Sequence, residues 1–199
     1  MKSKTFLALL VCLWALFFSA DNPIARLENY IEQHKSLAQY CQKTYNVPAS
    51  ITLARAILES GGGVSFIAKE SNNHFGIMFD PQDYYAKICG PYHYFQSSNG
   101  NKWRRYDTVE DAYIDHAQFF HLRVGSTCRW PFNKPTDYRI WSKTIGWCIG
   151  SWGMDDPEKA AKEYEQNLNA IIQRHRLDRF DILPDSITDT AQDTITENN

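Results

Sequence analysis

This chain has no basic excess. Its 199 residues hold 21 Lys and Arg against 23 Asp and Glu, for a formal charge of -2. It therefore lacks the basic face with which nucleic-acid binders neutralise phosphates, and no nucleic-acid partner is expected. Metal-site spacings are missing as well. There is no CxxC and no HExxH, and among the histidines at 34, 74, 93, 116, 121 and 175 the pair His116 and His121 stands five apart, off a common helix face. No metal or other cofactor is expected. Apolar runs are short too. The run from Phe6 to Phe18 falls below the roughly 20 residues that a membrane span needs.

That run fits a different use. Lys2 and Lys4 precede it and the small residues Ser19 and Ala20 follow it, the layout of a secretory signal peptide, placed here at residues 1-20. Cys12 then belongs to the discarded segment. The mature chain has no membrane span and a formal charge of -4, because residues 1-20 contain two lysines and no acid. Export to a periplasmic or extracellular site would put Cys41, Cys89, Cys128 and Cys148 in an oxidising compartment, with three possible pairings and one or two disulfides. A cysteine peptidase finds no support, since no thiol stands at a helix start beside a histidine. The last stretch, "DSITDTAQDTITENN", has acids, no Lys or Arg and few apolar groups, so residues 184-199 read as a disordered tail. Residues 21-183 remain as one domain, long enough to bury a core.

Within that domain, Ile24, Leu27, Ile31, Ala38 and Cys41 keep the three-and-four spacing of a first amphipathic helix ending near Tyr45. Pro48 opens a second, with Ile51, Ala54, Ile57 and Leu58 inward and Gly61, Gly62 and Gly63 as its stop. A short helical piece from Ser65 to Glu70 follows. The stretch from Phe75 to Tyr106 has no helical period, and Asn99-Gly100 between aromatic arms predicts a hairpin. Thr108 and Asp111 resemble a capping box that opens a helix, and Asp137-Lys143 and Pro157-His175 read as further helices. The fold class is mainly α, with a small β element inserted.

One carboxylate stands out. "LARAILESGGG" ends a core helix on Glu59, where the negative end of the helix dipole works against its charge. A carboxyl that can hold a proton is what a general acid needs to protonate a departing glycosidic oxygen.

The surrounding segment, "PASITLARAILESGGGVSFIAKESNNHFGI", resembles the signature of glycoside hydrolase family 73, bacterial endo-β-N-acetylglucosaminidases that cut peptidoglycan. Pro48, Leu53, Ala54, Ala56, Leu58, Glu59, Ser60, Gly61, Gly63, Ser65, Ala68, Asn72, Asn73, Phe75, Gly76 and Ile77 carry the match. "WRRYDTVEDAYIDHAQFF" is similar to the family's Phe-Arg-x-Tyr segment and the helix after it, with Trp103 in place of Phe. The resemblance covers roughly residues 24 to 181. It implies a lysozyme-like helical domain whose small β-lobe forms one wall of a cleft, with glycan strands of peptidoglycan as the partner. Glu59 would be the general acid at the cleft base. Asn73, Phe75 and Gly76 would shape the floor, and Trp103, Tyr106 and Trp147 would join them as substrate-binding residues.

Two family features are replaced. The second carboxylate, expected a few residues before the Phe-Arg-x-Tyr segment, aligns with Asn101, and an amide cannot act as a base. The tyrosine of a Gly-Tyr-Ala-Thr-like stretch aligns with Trp147 or Met154. Three readings follow. In the first, the substrate's own 2-acetamido oxygen attacks the anomeric carbon, with Asn101 orienting that group. In the second, Asp107, Glu110 or Asp83 supplies the missing carboxylate. In the third, catalysis is lost and a wall-binding protein remains. A lytic transglycosylase or muramidase on the same fold is a further alternative, since a lone glutamate suffices there. Tyr84, Tyr85, Tyr92, Tyr94, Phe95 and Trp103 give the β region flat surfaces for stacking pyranoses. Trp130, Trp141, Trp147 and Trp152 form a second group, either core or cleft wall.

Overall fold

The computed structural model describes residues 22-80, 93-122, 130, 131, 133, 134, 136-151 and 153-182, with the side chains of 121 and 122 left aside. The expected signal peptide and tail lie outside the described residues, as do Asp83, Tyr84, Tyr85, Tyr92, Trp152, Cys89 and Cys128.

Helix α1 (Pro23-Tyr45) starts where Asn22 accepts a hydrogen bond from the Ile24 N-H and Pro23 takes the first turn, and it ends on left-handed Asn46. Helix α2 (Ala49-Ser60) is the centre of the molecule. Every residue from Ala49 to Ile57 is buried, including Ser50, Thr52 and Arg55. It stops as the glycines predict: Gly61 takes φ +63 and returns its N-H to the Ile57 carbonyl. Gly62, also left-handed, lies so close to α1 that a Cβ there would stand 2.6 Å from Leu27 Cδ2.

Helix α3 (Phe66-Ser71), capped by Ser65, leads into the β-lobe. Strands β1 (His93-Gln96) and β2 (Lys102-Arg105) pair antiparallel, Phe95 opposite Trp103. Their turn places Gly100 at φ +87, with the Gly100 N-H on the Ser97 carbonyl and the Ser97 N-H on the Asn101 carbonyl. Residues 77-79 add a short third edge. Met78 bridges Trp103, Arg104 N donates to the Ile77 carbonyl and Phe79 N to the Lys102 carbonyl.

Helix α4 (Val109-Leu122) opens with the predicted box: Thr108 N donates to Asp111, and Asp111 N donates to the Thr108 hydroxyl. Helix α5 (Tyr138-Ile145) runs on into a π-helical turn, Gly146-Gly150, and α6 (Pro157-His175) packs against both. A 3-10 turn, Leu177-Phe180, closes the described chain. Asp181 then accepts hydrogen bonds from the Ser50 N-H (2.8 Å) and hydroxyl (2.7 Å), satisfying donors at the start of α2.

Of the tryptophans in doubt, Trp141 and Trp130 belong to the core, stacked 6.3 Å apart and met edge-on by Phe120. Cys148 is in a disulfide whose other half lies outside the described residues. Cys41 does not join one, which excludes the two-disulfide alternative among the four cysteines. It is a buried free thiol that donates to the Tyr113 carbonyl, its pKa pushed up to about 12 by burial and, secondarily, by the charge of Glu110.

Candidate active site

Glu59 stands in the last turn of α2, where the helix leaves the core, and its side chain keeps 27% of its surface exposed. Arg55, one turn earlier on the same face, is buried and places Nη2 3.5 Å from Glu59 Oε1. The field of the helix end is thus accompanied by a cation. From α6, the Tyr164 hydroxyl donates a hydrogen bond to the same Oε1 and accepts one from Arg55 Nε at 3.2 Å. Burial works against the charge of Arg55, but Tyr164 and Glu59 outweigh it and the guanidinium is held more firmly protonated than usual. Burial likewise pushes the Tyr164 phenol up to about 12.

The other side of the carboxyl faces the β-lobe. Gly76, left-handed at φ +61, lies between it and the lobe: a Cβ there would be 3.8 Å from Glu59 Oε2 and 4.0 Å from Trp103 Cζ3. Trp103 stays partly exposed, with its indole N-H on the Ser97 hydroxyl at 3.3 Å. Met78 and Phe95 share its face of the sheet, because each is paired directly with it. Phe95 in turn meets exposed Phe66 edge-on at 5.6 Å.

Among the residues expected at the site, Glu59, Gly76 and Trp103 converge. Trp147 is 52% exposed on the π-helical turn. Asn73, Phe75 and Tyr106, expected as substrate-binding residues, are buried. The Asn73 amide is committed to the backbone, donating to the Ile77 and Arg104 carbonyls and accepting from the Ile77 N-H. Phe75 stacks on His116 with 3.9 Å between ring centroids. Tyr106 donates to Asp115, which also receives both hydrogen bonds from Arg104 Nη1, so the Phe-Arg-x-Tyr-like segment is a buried ionic anchor.

Asn101 is exposed at the hairpin end, and its N-H is held by the Asn99 side chain. Asp107 and Glu110 are exposed around the start of α4. Asp83 lies outside the described residues. Arg55 and Tyr164 were not foreseen. Arg55 had a signal, since a cation four residues before Glu59 in an otherwise apolar helix must find a partner when buried. Tyr164 had none, because 105 residues separate it from Glu59.

A family model described as glucosaminidase, mannosyl-glycoprotein endo-β-N-acetylglucosaminidase, matches residues 35-177. The chain belongs to the glucosaminidase family. The fold implied by the sequence resemblance, lysozyme-like with a small β-lobe, is the one found. One relative of this chain, the exo-glucosaminidase LytG of Bacillus subtilis (strain 168), is 27% identical over 158 residues, 76% of this chain and 52% of LytG. The chain thus spans about half the length of that relative. The catalytic domain of the autolysin Auto from Listeria monocytogenes superposes with a TM-score of 0.55 at 20% identity, over 84% of this chain and 93% of that one. The glycoside hydrolase domain of FlgJ from Salmonella typhimurium gives 0.52 at 16%, over 85% and 97%. At these identities the two structures speak for the glucosaminidase fold.

Proposed function

We propose that this protein is an exported peptidoglycan hydrolase that cleaves the β-1,4 bond after N-acetylglucosamine, with Glu59 as general acid. The observation that carries the reading is the position of Glu59: at the exposed end of the most buried helix, bonded on one oxygen and open toward Gly76 and Trp103 on the other. Trp103 offers a sugar a flat, partly exposed face beside the acid. Family membership and relatives named as a glucosaminidase, an autolysin and a glycoside hydrolase domain support the choice of substrate. Export rests on the signal-like residues 1-20.

The hairpin from His93 to Tyr106 contains no Asp or Glu. This favours substrate assistance. As Glu59 protonates the leaving oxygen, the 2-acetamido oxygen forms a bond to the anomeric carbon, and water later opens the ring so formed. Asn101 is the amide offered to orient that group. The same lone acid also suits a lytic transglycosylase or a muramidase, and products separate the three.

The test is digestion of purified peptidoglycan by residues 21-199, wild type beside Glu59→Gln, with fragments reduced and identified by mass. Fragments ending in reduced N-acetylglucosamine are expected from wild type, and a loss of roughly 10²- to 10⁴-fold in rate from the variant. Ends in N-acetylmuramic acid or an anhydro sugar would transfer the reading to the alternatives. Binding without cleavage by both proteins would leave a wall-binding module.

A further inference from the structure

The two oxygens of Glu59 have different surroundings, and the difference assigns them different work. Oε1 receives the Tyr164 hydroxyl proton in a hydrogen bond and has Arg55 Nη2 3.5 Å away. Tyr164 has one hydrogen to give. One of its lone pairs is taken by Arg55 Nε-H at 3.2 Å, and its own proton points at Oε1. An oxygen facing a donated hydrogen cannot carry a proton of its own in that direction. Oε2 lies on the Gly76 side, where a Cβ would come within 3.8 Å.

From this geometry we infer that Tyr164 is a positioning residue that keeps Oε1 as the acceptor and so confines the acidic proton to Oε2, on the side of Gly76 and Trp103. The inference rests on Glu59 being the acid. In the step it serves, the proton leaves Oε2 for the glycosidic oxygen and the bond from that oxygen to the anomeric carbon breaks, its electron pair staying with the oxygen. The negative charge left on Glu59 develops on a carboxylate that already holds one strong hydrogen bond and a nearby cation, both in place before the reaction.

A second feature seats the tyrosine. Gly150, in the π-helical turn, approaches α6 so closely that a Cβ on it would fall 2.5 Å from Tyr164 Cβ, 2.6 Å from Cγ and 3.0 Å from Cδ2. The contact is to the root of the side chain rather than to its tip, so rotation of the Tyr164 ring cannot relieve it. Short π-helical turns of this kind often sit at functional sites. Here the turn supplies the gap that lets α6 bring a phenol to the end of α2.

The experiment compares kcat and KM across pH for wild type, Glu59→Gln, Tyr164→Phe and Gly150→Ala, with thermal unfolding of each. Tyr164→Phe keeps the ring and removes only the hydroxyl. Its kcat should fall at least tenfold with KM changed less than about twofold, and the alkaline limb of its pH profile should move upward, because a donor to the ionised form is gone. Gly150→Ala, which alters no group at the site, should move the same limb in the same direction. If Glu59→Gln is inactive while Tyr164→Phe keeps the wild-type kcat and profile, the assignment of Tyr164 fails and the acid stands. A lower kcat with an unmoved limb gives Tyr164 a purely structural role and also overturns the inference. If Glu59→Gln remains active, the acid itself has been misplaced and the inference falls with it.

Discussion

Asp115 accepts hydrogen bonds from two residues of the same short segment, Arg104 Nη1 at 2.9 and 2.7 Å and the Tyr106 hydroxyl at 2.6 Å, all buried. Burying these charges is tolerable only while the group stays whole, because removing one partner strands the other in a medium that solvates it poorly. Asp115→Ala should therefore destabilise the protein by about 3 to 5 kcal/mol. Tyr106→Phe, which leaves the ion pair intact and removes one bond to a charged acceptor, should cost about 2 kcal/mol. Urea titrations of both variants check the ordering. Equal losses would mean that the ion pair contributes no more than the phenol. The segment looks like a substrate-binding motif in the sequence, because aromatic and arginine side chains suit sugars. Its use as an anchor depends on Asp115, 11 residues from Arg104 and on a different element, and no local pattern announces that partner.

At the scale of elements, two glycines separate the cost of backbone conformation from the cost of contact. Gly100 has φ +87 and nothing within 4 Å of where a Cβ would be, whereas Gly62 has φ +74 and Leu27 Cδ2 at 2.6 Å. Gly100→Ala should lower stability by about 1 to 2 kcal/mol through backbone strain alone. Gly62→Ala should lose about 1 to 3 kcal/mol more, since α1 must yield. Thermal unfolding compares them, and a Gly62→Ala protein no weaker than Gly100→Ala would show that Leu27 moves aside freely. The helices were legible because their apolar residues recur every three or four positions and their ends carry Asn22, Gly61, Thr108 and Asp137 as local stops or caps. Residues 77-79 were not legible as a third edge, since three residues cannot display alternation. The π-helical Gly146-Gly150, with two glycines in five residues, reads as a loop until α6 packs on it. Glu59 and Gly76 could be read from a contiguous motif. Tyr164 reaches the site only through that packing.

Considered whole, the molecule has neutral imidazoles inside it. Burial lowers the pKa of His74 to about 4, with a further push from His34, which is itself lowered by burial; His116, buried against Phe75 and near Arg55, is held well below its usual range. His74 accepts or donates at Nδ1 with the Tyr30 hydroxyl at 2.7 Å, and Tyr30 continues to the Tyr113 hydroxyl at 3.0 Å. For such groups the unfolded chain binds the proton more readily. Their stabilisation is present above about pH 6.5 and is lost as pH falls toward 4. Asp181 works in the opposite sense, since burial raises it to about 7 against the opposing bonds from Ser50, and its contribution declines as pH rises from about 4 to 7. Three histidines against one carboxyl make net acid lability the expectation. His74 alone should account for about 2 kcal/mol between pH 7.5 and 5. Unfolding midpoints measured across that range in an Asp181→Asn variant, which removes the opposing carboxyl, should fall toward acid, and a flat or rising profile there would show the imidazoles to be solvated.

The hydrogen bonds of Asp181 to Ser50 have neighbours: Gln39 Nε2 donates to the Phe180 carbonyl, and Gln42 exchanges bonds with the Ile182 N-H (2.9 Å) and carbonyl (3.1 Å). The last described residues are thus a clasp across the first helix and the start of the helix that ends on Glu59. Where the helical pattern of α6 stops, at His175, the working length of the protein does not. A recombinant fragment designed to that boundary would leave the clasp open, and a protease nicking between His175 and Ile182 would unfasten the helix of Glu59 from more than a hundred residues away in sequence.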